Sequence, residues 1–346
     1  MNWPSTGSLF DMVAPMSTAR FDVTGIGDAV VDVLAKADES LLVEYDLPKG
    51  GMSLIDQATA DRLYAVMGPA VERSGGSVAN TIAGIAALGG RAAYIGKVAD
   101  DELGDVFSHD MRAVGVTYDT PRLEGGISTG RSLIFVTPDA QRTMQTFLGA
   151  ASQLGPDDVN MDYITSSKVM YLEGYLWDQS RAKKAMRDAA IQAQQAGVKV
   201  ALTLSDAACV ARFRDEFLEL VEHHVDILFA NENEILSLYQ VRHFDDALQH
   251  VSGHTEIAAL TRSAKGSVIV NGGEVHVIDA VSGVHVVDTT GAGDAYAAGF
   301  LYAYTHGRDL GTCGRLGSVL AAEVISHYGP RLEADVKALA ATVLTA

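Results

Sequence analysis

Asp288-Thr289-Thr290-Gly291-Ala292-Gly293-Asp294 is the stretch on which the reading of this chain turns. It follows an apolar, β-branched run (Val284, Val286, Val287) and leads into a helix-like run from Ala295 to Tyr304. The pattern predicts a strand that ends in a tight glycine turn and opens a helix. Two glycines around a small alanine let the backbone come close to a ligand. The free N–H groups at a helix start, together with the helix dipole, favour an anion there. A carboxylate so placed is repelled by that anion, unless its task is to take a proton from a nucleophile attacking it. Anion cradle plus adjacent base, here Asp294, is the minimal kit for phosphoryl transfer, which is mostly positioning and charge stabilisation. The plainer alternative is an ordinary strand–helix turn with Asp294 as a first-turn carboxylate. The stretch alone leaves both open.

Outward from it, strand and helix signals alternate. Phe21 to Gly27 reads as a first strand ending in a glycine turn, and Val30 to Ala35 continues as strand. Further strands are expected at Ala92–Lys97, Val169–Leu172, Val198–Leu204, Asp226–Ala230, Ile257–Thr261 and Ser267–Val270. Helices are expected between them, for instance at Ser77–Leu88, Glu102–Val114, Ser180–Gln195 and Asp215–His223. Such alternation implies a parallel sheet covered on both faces. Tyr118 to Leu148 differs, alternating in polarity between turns at Gly125-Gly126 and Pro138-Asp139, which predicts antiparallel hairpin material. A small β flap over the carboxyl ends of the sheet strands is its natural use. These signals divide the chain into a disordered leader over 1–20, a large α/β domain over 21–35, 57–117 and 150–346, and a small β lid over 36–56 and 118–149.

Three further constellations carry chemistry. Gly75-Gly76-Ser77-Val78-Ala79-Asn80 places two glycines before a helix whose first turn holds an amide, and Asn80 can donate and accept at once, which suits hydroxyls. Asn231-Glu232-Asn233-Glu234 follows the apolar strand Ile227–Ala230. Its acidic and amide groups can organise a hydrated Mg²⁺ near phosphates, and Asn231 with Glu234 is equally a capping-box pattern. Asp28 and Asp32 flank the first strand turn and can accept hydrogen bonds from a diol. For each, a plain turn, cap or surface role is the competing reading.

The chain has 346 residues, 48% of them hydrophobic, enough for one large α/β domain with an appendage. A formal net charge of −18 argues against a nucleic-acid or anionic-membrane surface, though a local cradle can still bind an anion. Cys209 and Cys313 stand far apart in no metal spacing and read as reduced thiols, making the cytoplasm the expected location. The first βα turn lacks Gly-x-Gly-x-x-Gly, which disfavours a dinucleotide dehydrogenase. Lys97 precedes Val98 rather than Ser or Thr, so Gly96-Lys97 is no P-loop.

Together the motifs resemble those of the PfkB (ribokinase-like) carbohydrate and nucleoside kinases. Gly75-Gly76 with Asn80, then Gly89, Gly96 and Asp100-Asp101-Glu102-Leu103-Gly104, is similar to the family's N-terminal signature. Asp288 to Asp294 resembles its C-terminal signature, and Asn231-x-x-Glu234 its Mg²⁺-associated motif. The order of the three makes the resemblance specific, and it covers almost everything after residue 20. Gly25-Ile26-Gly27 with Asp32, Arg142 to Ala150, and Glu173-Gly174-Tyr175-Leu176-Trp177 are similar to the bacterial adenosine kinase group. Those stretches also occur in relatives regarded as sugar kinases.

The resemblance implies an α/β, ribokinase-like fold with a parallel-dominated central sheet and a small β lid. It implies Asp294 as base and Gly291, Ala292 and Gly293 as anion hole. Asp28, Asp32, Gly75, Gly76 and Asn80 would hold the acceptor. Asn231, Thr261, Ser263, Gly266, Gly291 and Gly293 would lie by ATP, with Asn231 and Glu234 positioning Mg²⁺ largely through water. ATP as co-substrate, Mg²⁺ and room for a monovalent cation follow, with a nucleoside or sugar as the other partner and a monomer or homodimer as the assembly. The implied activity is phosphorylation of the 5′-hydroxyl of adenosine or a related nucleoside. The alternative acceptor is fructose, ribose or 2-keto-3-deoxygluconate, and a non-catalytic binding protein is the rival from another class. Phe135, Met144 and Phe147 are the apolar lid residues expected to cover a purine. Two departures stand out. Asp28, an acceptor-only group in place of an amide, stands where adenosine kinases usually carry Asn, so hydrogen bonding to the purine or sugar is expected to differ. The stretch Thr261-Arg262-Ser263-Ala264-Lys265-Gly266 is unusually basic.

Overall fold

Short apolar runs make the middle strands of the larger sheet. Ile227-Leu228-Phe229-Ala230 and Ile257-Ala258-Ala259-Leu260 are buried at every position. Such runs fit a parallel sheet covered on both faces. The computed structural model, which describes residues 19–139 and 141–345, contains that sheet, and all but the last two residues of the expected leader lie outside the described residues. The strands are β1 (Phe21–Ile26), β2 (Val30–Lys36), β3 (Met52–Leu54), β4 (Ala70–Gly75), β5 (Ala92–Ile95), β6 (Thr129–Val136) and β7 (Arg142–Gly149). They continue with β8 (Ser167–Glu173), β9 (Lys199–Thr203), β10 (Ile227–Asn231), β11 (Ile257–Thr261), β12 (Ser267–Asn271) and β13 (Glu274–Ile278).

The eight-stranded sheet runs β13-β12-β11-β10-β9-β8-β1-β5. It is parallel from β11 to β5, and β12 and β13 close one edge antiparallel. The helices are α1 (Glu39–Glu44), α2 (Gln57–Tyr64), α3 (Ser77–Ala87), α4 (Glu102–Ala113), α5 (Met161–Thr165) and α6 (Ser180–Gln195). After them come α7 (Ala207–His223), α8 (Glu232–Tyr239), α9 (Phe244–Val251), α10 (Ala292–Thr305), α11 (Leu310–Val324) and α12 (Val336–Leu344). One core packs α3, α4, α10, α11 and α12 on one face, and a second packs α5 to α9 on the other. Among the described residues no helix is long and apolar enough to cross a membrane.

The second sheet, β3-β7-β6-β2-β4, corrects the expected boundaries. Val30–Ala35 and Ala70–Gly75, assigned from sequence to the large domain, both belong to the small sheet. β2 is buried at nearly every position, so it reads as a core strand, and only Gly27-Asp28-Ala29 separates it from β1. β4 is exposed at its start and does not alternate, so it carries no strand signal. The first expected lid segment thus extends at both ends, to Val30 and to Gly75. The expected β6–β7 hairpin is there, but β2–β6 and β3–β7 pair in parallel.

The expected strand at Val284–Val287 is absent. The chain there is loop, Val286 is 54% exposed, and the amides of Val287 and Asp288 donate to the Ile325 carbonyl at 2.8 and 3.3 Å. The sheet edge is already occupied by β13, where Glu274 and His276 interrupt the apolar run. Asp101 of the N-terminal signature is a structural tie. It caps α4 through the Gly104 amide at 2.8 Å and accepts from the Thr129 amide at 2.8 Å, fastening α4 to the start of β6.

Helix α10 carries the glycine turn and is fixed by its crossing with α11. A Cβ on Gly299 would lie 2.8 Å from the backbone of Leu316 and Gly317. In an ordinary helix Gly→Ala gains about 1 kcal/mol. Here the neighbour is backbone and cannot yield, so Gly299→Ala should lose about 1–3 kcal/mol by overpacking. Urea unfolding followed by far-UV dichroism measures this, and a gain in stability would refute the close crossing.

Candidate active site

The strands β1, β8, β9, β10 and β11 run in parallel and end at one edge of the sheet, where open α/β sheets place ligands. A cavity of about 260 Å³ lies between that edge and the small sheet. Its floor includes Asp28, Gly76, Asn80, Glu173 and Asp294. Its small-sheet wall includes Met52, Leu54, Ile134, Met144 and Leu148, with Asp32, Ser132 and Thr146 as polar members.

Asp294 sits in the first turn of α10. Gly291 precedes the helix at φ 73°, a left-handed conformation that favours glycine, and a Cβ there would meet Pro330 at 2.7 Å. No side chain caps α10, and among the described residues no acceptor meets the amides of Gly291, Gly293 or Asp294. The carboxylate is held from α3. Ser77 Oγ donates to Oδ1 at 2.7 Å and Asn80 Nδ2 donates to Oδ2 at 2.9 Å. Burial pushes the Asp294 carboxyl up to about 6, against the pull of these two hydrogen bonds and of Arg331. α3 reaches this position because Gly76 turns at φ 100°, where a Cβ would lie 2.1 Å from the Asp28 carbonyl oxygen.

Asp32 and Asp28 bring more buried carboxyl groups. Burial pushes Asp32 up to about 7 although Arg331 and Arg142 oppose it. Gly75 lies behind Asp32 rather than on the cavity, and its missing Cβ leaves room for that carboxyl, which would be 2.4 Å away. Arg331 is a structural cation. Its Nη2 donates to the Ser74 carbonyl at 3.0 Å and its Nη1 to the Ala79 carbonyl at 3.1 Å. Arg142 of β7 pairs with Asp288 at 2.6 Å, and Asp288 in turn accepts from the amides of Thr290 at 2.8 Å and Gly329 at 2.9 Å. That ion pair ties the small sheet to the glycine turn.

The other expected motif lies beside the cavity. Asn231 and Glu234 form a full capping box: Asn231 Oδ1 accepts from the Glu234 amide at 2.9 Å, and Glu234 Oε2 accepts from the Asn231 amide at 2.9 Å. Burial, with Asp206 and Asp294 adding to it, pushes Glu234 up to about 7. Thr261 ends β11 directly beside Asn231, and Ser263 and Gly266 lie on the turn that follows. The basic stretch is neutralised locally, since Arg262 pairs with Glu232 at 3.0 Å and Lys265 approaches it at 3.5 Å.

The structure therefore brings Asp28, Asp32, Gly76, Asn80, Gly291 and Asp294 to one cavity, and sets Asn231, Glu234, Thr261, Ser263 and Gly266 along the neighbouring strand ends. Two lid residues are corrected. Phe135 and Phe147 are buried in the small domain, whereas the even-numbered Ile134, Met144 and Leu148 line the cavity. Strand side chains alternate, so a one-residue error reverses the face. Glu173, Tyr175 and Ser205 line the cavity without having been singled out as site residues. Their signal is positional, since Glu173 ends β8 and Ser205 follows β9.

This arrangement, a helix start with free amides beside a held carboxylate and a covered cavity, suits transfer of an anionic group to a bound hydroxyl. The family model for pfkB family carbohydrate kinases matches residues 64–336. An adenosine kinase from Sinorhizobium meliloti superposes with a TM-score of 0.89 at 52% identity, covering 94% of this chain and 99% of its own. A probable sugar kinase from Rhizobium etli CFN 42 gives 0.89 at 49% identity, covering 94% and 100%. An uncharacterized sugar kinase from Archaeoglobus fulgidus is 30% identical over 72% of this chain and 96% of its own. With sheet order, glycine turn and these relatives in agreement, the chain belongs to the pfkB carbohydrate kinase family and is an ATP-dependent phosphotransferase with an alcohol acceptor.

Proposed function

We propose that the acceptor is the 5′-hydroxyl of adenosine or a related nucleoside. The observation that carries this is the division of the cavity. Its floor is polar, with Asp28, Asn80 and Asp294, and its small-sheet wall is rich in Met52, Leu54, Ile134, Met144 and Leu148. Ribose hydroxyls suit the floor, and a flat base suits an apolar wall in which Leu54 is otherwise 52% exposed. The name of the Sinorhizobium neighbour supports the same reading. The names of the Rhizobium and Archaeoglobus relatives support a free sugar as the second reading.

In the proposed reaction Asp294 takes the proton of the attacking hydroxyl. Ser77 and Asn80 fix the carboxylate so that its free lone pairs face the acceptor. The amides of Gly291 and Gly293 meet the charge that develops on the transferred group. The small sheet covers the acceptor and excludes water, which limits wasteful hydrolysis. Mg²⁺, when bound with ATP, would neutralise phosphate charge. The residues fit such an ion through water. Glu234 is a buried carboxyl with no cationic partner among the described residues, and its oxygens keep lone pairs beyond the capping box.

Three outcomes follow from this reading. Asp294→Asn should lower kcat by about 10²- to 10⁴-fold with acceptor binding nearly intact, and near-full turnover would remove Asp294 from the role of base. Because the Asp294 carboxyl lies at about 6, kcat/KM should fall about tenfold per pH unit below that value, as the base becomes protonated. An ADP-release assay with Mg-ATP against adenosine, guanosine, inosine, ribose, fructose and 2-keto-3-deoxygluconate should give saturable turnover on adenosine. Preference for a free sugar would keep the mechanism and reject the nucleoside. The same assay run in K⁺ and in Na⁺ tests the monovalent-cation dependence that the family resemblance implies.

A further inference from the structure

The floor of the cavity holds a carboxyl pair that the proposed transfer step does not use. Glu173 ends β8 and is 1% exposed, and its Oε2 accepts from the amides of Val78 at 3.1 Å and Asp28 at 3.3 Å. Asp28 is 4% exposed, lines the cavity, and its Oδ1 has no hydrogen-bond partner among the described residues. Among the described residues no cation pairs with either group. Arg212 also lines the cavity, but it is committed to Asp178 at 2.6 Å.

We propose that Asp28 and Glu173 cannot both be ionised, and that Asp28 binds the acceptor in its protonated form, donating a hydrogen bond to a lone pair of the acceptor. This rests on the reading of the cavity as the acceptor site. The groups that face Asp28 are Glu173 from β8, Tyr94 from β5, Asp178 with its Arg212, and Asp294 beyond Glu173. Tyr94 is fully buried and its Oη has no partner among the described residues, so it offers no positive charge. Two buried carboxylates in such surroundings repel, and the protons come off as a property of the pair. Burial, with Asp178 adding to it, pushes Asp28 up to about 7, and burial with Asp28 pushes Glu173 well above the usual carboxylate range. An ionised Asp28 only accepts, and would repel an acceptor lone pair. A neutral Asp28 keeps an O–H donor. Its group is raised, so the binding-competent form is present below about 7 and is lost as pH rises through that value.

The test is equilibrium binding of adenosine to the full chain without ATP, between about pH 5.5 and 8.5. Asp294→Asn serves as background, so that the titration of Asp294 does not intrude. In that background Kd should rise about tenfold per pH unit above about 7. Adding Asp28→Asn, whose amide donates at any pH, should hold Kd within about twofold across the range. A flat Kd with Asp28 present overturns the proposal, and so does a slope that survives Asp28→Asn. On the free enzyme, an infrared band of a protonated carboxyl that is lost in Asp28→Asn supports it independently of any acceptor, and the absence of that band below pH 7 overturns it. If adenosine does not bind at any pH, the nucleoside reading fails, and the same titration with the sugar that does bind decides the proton.

Discussion

A carboxylate buried at the start of a helix is the constraint around which this molecule is arranged. Asp294 lies among amides that attract anions, and it is itself an anion kept from water. It stays ionisable because α3 supplies Ser77 and Asn80 from the opposite side. That contact sets strict limits elsewhere. Gly76 must turn without a side chain to bring α3 against the β1–β2 junction, and Gly291 must pass close to Pro330. The α10–α11 crossing at Gly299 then fixes the axis along which the carboxylate points. The glycines of the two signatures, far apart in the chain, serve one hydrogen-bonded contact.

The site is crowded with acids, in keeping with a chain of net charge −18, yet it is built to meet phosphate. Asp28, Asp32, Glu173, Glu234 and Asp294 all have their carboxyl groups pushed up by burial. Arg331 opposes the rise at Asp32 and Asp294, and Arg142 opposes it at Asp32. Arg331 is spent on the carbonyls of Ser74 and Ala79, and Arg142 on Asp288. Attraction for a phosphate must therefore come from backbone amides and from whatever cation travels with the nucleotide. In the proposed reaction this balance leaves the helix-start amides free to meet the charge of the transferred group.

Much of this was legible in the sequence because it depends on local pattern. The apolar runs of β10 and β11, the helices α3, α4 and α6 and the glycine turns are set by neighbours in the chain. The capping box at Asn231 and Glu234 was visible for the same reason. What failed depends on distant partners. β2 reads like β1 because both are buried, and only pairing with β4 and β6 shows that it has changed sheets. Val284–Val287 has strand composition but no edge to join. Phe135 and Met144 differ only in the face of the pleat they occupy, which no composition records. The raised pKa of Asp28 was not legible because it comes from burial and from Asp178, which only the fold brings near.

The junction Gly27-Asp28-Ala29 is the whole covalent connection between the end of β1 in one sheet and the start of β2 in the other. Asp28 also lines the cavity. On the proposed reading the pivot and the grip on the acceptor are the same residue, as in a lever whose fulcrum rests on its load. Any rotation of the small sheet about this junction turns the backbone of Asp28 and re-aims its carboxyl. Conversely, an acceptor that pins that carboxyl fixes the angle between the two sheets, so the molecule needs no separate relay to sense that its cavity is filled.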